Sequence, residues 1–169
     1  MEADEKQGKA LCERSCRRRA KEVWGPVFEA VSGFTSVLAY DRAGYGKSRT
    51  SASVRDGATV VAELRSLLRA LELPSPYVLV GHSLGGQFVV SFARSYPEEV
   101  AGVVLVDARH VEFGDRCERE GVERCTLPLL SRVLMPRAAL RELDAATQTE
   151  SQIRAAGPFA DLATRAPSR

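Results

Sequence analysis

The sequence predicts an α/β chain, a parallel sheet flanked by helices. Three observations carry that reading. Apolar runs of strand length recur at 35–40, 77–80 and 103–106. Between them stand stretches whose apolar residues return with a helical period. The links are short, and strands alternating with helices over short links build a parallel sheet. With 169 residues, 44% hydrophobic and 27% charged, the chain suits one domain of ordinary globular composition.

Each element follows in order. Residues 1–22 are polar and basic, and Arg14, Arg17, Arg18, Arg19 and Lys21 crowd them. They read as a disordered or weakly helical solvated arm. No aromatic residues interleave with the arginines to stack on bases, and the net charge is only +2, so no nucleic-acid partner is expected. Residues 24–32 read as a short helix with Pro26 in its first turn and Gly33 after its end. Thr35 to Tyr40 is a strand closed by Asp41, and the polar stretch to Ser53 is a loop. From Arg55 to Glu72, Ala58, Val61, Leu64, Leu68 and Leu71 form one helical stripe, which Pro74 and Pro76 stop.

Tyr77 to Val80 is a near-continuous apolar run, as a parallel strand buried on both faces requires. Residues 85–95 read as a helix with Phe88, Val89 and Phe92 inward, and Val103 to Val106 as a third buried strand closed by Asp107. Beyond His110 the pattern loosens. Residues 112–124 are highly charged, and two short helices are expected over 127–134 and 138–146, split by Pro136. The expected organisation is an arm over 1–22, a core over 23–110, a helical cap-like segment over 111–156 and an irregular tail over 157–169.

Other classes are argued against directly. No apolar run approaches the roughly 20 residues of a membrane span. The first 22 residues lack the apolar centre of a secretory signal, so a cytoplasmic protein is expected. Cys12 and Cys16 could share a helix face, but two thiols make a poor zinc site, and His82 and His110 do not stand at metal spacing. No metal or other cofactor is expected. Cys117 and Cys125 could close a small disulfide loop in an oxidising compartment; without an export signal, free thiols are the expectation. Gly46-Lys47-Ser48 ends like a phosphate-binding loop, but that motif needs a glycine where Asp41 stands.

The chemistry concentrates at Gly81-His82-Ser83-Leu84-Gly85-Gly86. A serine hydroxyl is a weak nucleophile that needs a base for its proton and donors for the oxyanion it creates. Gly-x-Ser-x-Gly alone is a weak pattern, and its bland reading is a connecting turn. Here it follows an apolar strand and opens an amphipathic helix, the setting of a nucleophile elbow. Gly81 and Gly85 let backbone and helix pass close, Ser83 projects above the sheet edge, and the Leu84 N–H lies at a helix N-terminus that favours negative charge.

This elbow, together with Ala39-Tyr40-Asp41-Arg42-Ala43-Gly44-Tyr45-Gly46-Lys47-Ser48 upstream, resembles the α/β-hydrolase superfamily, and within it the esterase-like and lipase-like serine hydrolases. Val106-Asp107-Ala108-Arg109-His110 is similar to the family's sixth strand end. The resemblance implies a serine hydrolase acting on a small ester or amide, with Ser83 as nucleophile and Leu84 as an oxyanion donor. It implies an acid and a histidine further along. Asp107 is the candidate acid, or else caps the next segment. His110 is the candidate base or a substrate contact; no histidine follows it. The family's first three strands and last two find no counterpart in the sequence, so a partial member is expected. Strands 35–41 and 77–81 would then lack the partner that belongs between them, leaving edges open to self-association. The alternative function is a non-catalytic relative serving as a binding or regulatory module.

Overall fold

The computed structural model describes residues 9–14, 20–121, 133 and 135–157, with side chains from Trp24 onward. Its elements are β1 (Lys9–Arg14), α1 (Ala20–Ser32), β2 (Ser36–Ala39), α2 (Gly57–Ala70), β3 (Tyr77–His82), α3 (Leu84–Ser95), β4 (Val100–Val106), α4 (Phe113–Arg119), α5 (Arg137–Asp144) and α6 (Ala146–Ala155). A short 3₁₀ turn, Pro97–Glu99, leads into β4. Among the described residues the strands form one parallel sheet in the order β2-β1-β3-β4. This is the parallel sheet flanked by helices that the sequence predicts.

The arm expected over residues 1–22 is corrected here. Lys9–Arg14 forms a strand between β2 and β3, with Leu11 opposite both Leu38 and Leu79. The strand that the sequence reading found missing is therefore present. The physical reason is backbone accounting: β2 and β3 carry buried donors and acceptors that need a partner between them. The first helix also starts earlier than expected, at Ala20, and takes Pro26 into its interior.

Strand alternation sorts the side chains onto two faces. On one, Trp24 and Phe28 of α1 pack with Val37, Ala39 and Val80. On the other, α2 and α3 bury Val61, Leu64, Leu68, Val89 and Phe92 against Tyr77, Leu79, Leu38 and Val103. Val61, Leu64 and Leu68 fulfil the predicted stripe of α2, but Ala58 and Leu71 are exposed, and Gly57 and Val60 are buried instead. The stripe is rotated because α2 packs on α6 as well as α3, and α6 meets its N-terminal turn. Phe88, Val89 and Phe92 face inward as the period of α3 predicts.

The third strand departs from expectation. Among the described residues β4 lies at the sheet edge and pairs only with β3, and Val104, Leu105 and Val106 are 47%, 52% and 38% exposed. An apolar run reports what a strand needs and not whether neighbours are present.

After β4 the chain makes α4, α5 and α6. The helix expected over 138–146 is α5 at Arg137–Asp144, and the helix expected over 127–134 lies outside the described residues, Val133 aside. Cys117 in α4 is disulfide-bonded, against the expectation of free thiols. That expectation rested on compartment alone, which does not fix the geometry between sulfurs. No helix among the described residues is long and apolar enough to cross a membrane.

Helices α5 and α6 attach through apolar contacts of Ala138, Ala139 and Ala146 and through polar groups. The Arg141 guanidinium donates to the carbonyls of Ser51, Ala52 and Ser53 at 2.7–2.8 Å. The first N–H groups of α2 have no intrahelical acceptor. Asp56 takes the Thr59 N–H, Thr149 Oγ1 that of Gly57, and Gln152 Oε1 that of Ala58.

Candidate active site

The C-terminal ends of the parallel strands carry the loops that gather the candidate residues. Ser83 follows β3 directly, at φ 54° and ψ −125°. A non-glycine residue there carries strain of about 1–3 kcal/mol and persists only where its surroundings over-determine it. They do so here. The Ser83 N–H donates to Val106 O at 3.3 Å, and the Ser83 carbonyl accepts from the N–H groups of Gly86 and Arg109, each at 3.0 Å.

The close approach falls on two glycines. A Cβ at Gly81 would sit 2.7 Å from Gly85 O and 2.8 Å from Gly86 Cα, and one at Gly86 would sit 2.4 Å from Ala108 Cβ. Gly86 is a residue that reading the elbow as Gly-x-Ser-x-Gly missed; its signal was the doubled glycine. Gly85 is buried, and its carbonyl faces Gly81.

Ser83 is partly exposed, and its side chain does not cap α3. Among the described residues no hydrogen bond engages its hydroxyl. Leu84 is the first residue of α3, so its N–H stands where a helix has no internal acceptor.

The other candidates surround the elbow without touching the hydroxyl by hydrogen bond. Asp107 follows β4 in a left-handed conformation, φ 44°, with an exposed side chain. His110, with a side chain 57% exposed, accepts the Glu112 N–H on Nδ1 at 3.1 Å. A neutral imidazole so engaged carries its proton on Nε2 and donates from there. His82 Nδ1 is buried with no hydrogen-bond partner among the described residues.

The loop after β2 is tied down by a buried ion cluster that the sequence did not disclose. Gly44 and Gly46 adopt positive φ, and a Cβ at Gly46 would fall 2.0 Å from an Asp41 carboxylate oxygen. Arg42 donates to both Glu142 oxygens at 3.0 and 2.7 Å, Tyr45 OH donates to the same carboxylate at 2.7 Å, and Arg55 bridges Glu142 and Glu63. Arg42, Arg55 and Glu142 are at most 2% exposed. Burial, and next the Glu142 charge, push the Tyr45 hydroxyl far above its ordinary pKa. The signal was separation-blind: Glu142 stands a hundred positions from Arg42.

A parallel sheet layered with helices, with a strained serine between strand and helix at its C-terminal edge, defines a class of protein: the α/β folds with a tight strand-to-helix turn at the sheet edge. The chain belongs to the alpha/beta hydrolase fold family, whose model matches residues 21–123. It is 35% identical over 88 residues to the uncharacterized protein YqjL of Bacillus subtilis, covering 52% of this chain and 35% of that protein. It is 41% identical over 73 residues to a non-heme chloroperoxidase of Streptomyces lividans, covering 43% and 26% respectively. The chain thus spans about a third or less of these two relatives' own length. A CIB-like hydrolase from Thermoplasma acidophilum superposes with a TM-score of 0.58 at 24% identity, over 68% of this chain and 59% of that one. A haloalkane dehalogenase from Agrobacterium tumefaciens gives 0.58 at 16% identity, over 88% and 66%. At these identities the likeness is one of fold alone.

Proposed function

We propose that this chain carries the nucleophile of a serine hydrolase acting on ester or amide bonds. The observation that supports the reading is Ser83 itself, strained between β3 and α3 with its hydroxyl outside every hydrogen bond of the described residues. In the reaction, Ser83 Oγ adds to the substrate carbonyl carbon as its proton passes to a base. The carbonyl oxygen becomes an oxyanion facing the Leu84 N–H. The C–O or C–N bond breaks, the leaving alcohol or amine takes the proton, and water then releases the acid from the acyl-serine. Asp107 and His110 are the acid and base candidates on the neighbouring loop. Serving as base requires His110 to give up its Glu112 contact, carry its proton on Nδ1 instead of Nε2 and turn the freed Nε2 toward Ser83. If neither group completes a triad, the rate stays about 10³–10⁴-fold above water.

A fluorophosphonate probe tests this directly. Wild type should be labelled at Ser83, and the Ser83→Ala chain should not be. Equal labelling of the two chains, or none in either, would sink the reading.

A second reading, a non-catalytic binding module, is favoured by one observation, the exposed Val104-Leu105-Val106 run on β4. Such an edge invites pairing with another chain or a second copy. Light scattering on the purified chain separates them: a stable monomer at all concentrations speaks for the hydrolase reading, and association for the module.

A further inference from the structure

We infer that Glu150 is a positioning residue for the elbow, holding the 107–112 loop so that its backbone locks Ser83 in its strained conformation. The inference rests on Ser83 being the nucleophile only where activity is read. Its structural core stands without that.

Glu150 lies on α6, far along the chain from the elbow, yet it is only 2% exposed. Burying a carboxylate is unfavourable unless partners compensate, so its surroundings identify what the charge does there. Among the described residues two side chains pair with it. Gln87 Nε2, from the elbow helix, donates to Oε1 at 3.1 Å. The Arg109 guanidinium stands 3.4 Å from the same oxygen. Both partners lead back to the elbow. Gln87 Nε2 also donates to His110 O at 3.2 Å, fastening the loop to α3. The Arg109 N–H donates to Ser83 O at 3.0 Å.

The Ser83 carbonyl therefore has two restraints, Gly86 from inside α3 and Arg109 from the loop. The first belongs to the helix and survives any change outside it. The second depends on where Arg109 is held. Its side chain rests over the Phe113 ring at 4.6 Å and against Glu150, so the loop is fixed on both sides of its backbone bond. The same loop carries Asp107 at φ 44° and presses Ala108 close to Gly86. Loss of the Glu150 charge frees Arg109, loosens Ser83 O and lets the loop shift against the elbow.

The test is amide hydrogen exchange on the full chain carrying Glu150→Gln. The Arg109 amide should exchange about tenfold faster or more, while core amides at Val61 and Phe92 keep their wild-type rates. Arg109→Lys, which keeps the charge opposite Glu150, should retain the slow Arg109-position exchange. A uniform rise across the chain would make Glu150 merely structural, and an unchanged Arg109 would overturn the inference. Should Glu150→Gln fail to fold, Glu150→Gln with Arg109→Gln removes both charges together. It should still show the faster exchange at position 109, and wild-type protection there would overturn the inference. Fluorophosphonate labelling of Ser83 should slow about tenfold in Glu150→Gln. A wild type that is not labelled defeats the nucleophile reading alone, because the exchange result is read independently of it.

Discussion

β3 and β4 lie side by side, with Val80 opposite Val104 and Gly81 opposite Leu105. Both are written almost wholly in apolar residues. Their fates differ. Leu79 is fully buried between α2, α3 and the sheet, whereas Val104, Leu105 and Val106 remain largely exposed. The difference teaches that apolar composition sets a demand for cover and leaves the supply to the neighbours. α1 covers Val80 from one side but leaves Val104, on the same face one strand further out, exposed. α3 covers Leu79 and only grazes Leu105, whose side chain lies near Gly86.

Substitutions should therefore cost very different amounts in the closed core around β3 and on the open strand β4. The largest effect is expected on the closed side. Phe92→Ala removes a fully buried ring that meets Tyr77 and Tyr96 edge-on. It should cost about 3–5 kcal/mol, a large share of the roughly 5–15 kcal/mol a domain has to lose. Leu105→Ala should stay within about 0.5 kcal/mol. Urea unfolding of both variants checks this, and a Leu105→Ala loss rivalling Phe92→Ala would mean that β4 is covered in solution.

Association is the next lever. Val104→Lys places a charge on the open face, a device that blunts edge pairing. If wild-type chains associate through β4, light scattering should show the variant as a monomer with its unfolding midpoint little changed. Persistent association would move the contact elsewhere.

The contrast also explains what the sequence made legible. β3, the elbow and α3 form one continuous local pattern: an apolar run, a glycine-flanked serine, then a helical stripe. Every part of that signal is adjacent in the chain. The family resemblance rests on the same stretch. β1 left no such trace. Its apolar centre is only Ala10-Leu11-Cys12, flanked by Lys9, Glu13 and Arg14, and its place in the sheet comes from two distant strands. Nothing local to Glu142 or Glu150 marks either as buried; both are, because arginines from distant loops meet them. Ser83 was legible because its geometry is local. Its restraint by Arg109 was not, since that bond joins two strand ends that only the sheet brings together.

The smallest effect is expected where polar groups add to the apolar contacts of the closed side, at the N-terminus of α2. Burial of Asp56 works to raise its pKa, but hydrogen bonds from Thr59 and Gln152 outweigh it and hold the carboxyl below its ordinary value. Gln148 and Gln152 both donate to Oδ2 at 2.8 Å, joining α6 to the cap of α2. A folded-state pKa below the unfolded one gives stability that is present above the unfolded value, near 3.8, and is lost as pH falls through the lower folded value. Asp56→Asn removes the titration while keeping a capping oxygen for Thr59. The difference in urea midpoint between wild type and Asp56→Asn should thus be steady from neutral pH to mildly acidic conditions. It should shrink only below the ordinary aspartate range, where the wild-type carboxyl takes up its proton. A difference that instead vanished near neutral pH would show that Asp56 does not hold α6 to α2 as a carboxylate, and that this side of the core is closed by its apolar contacts alone.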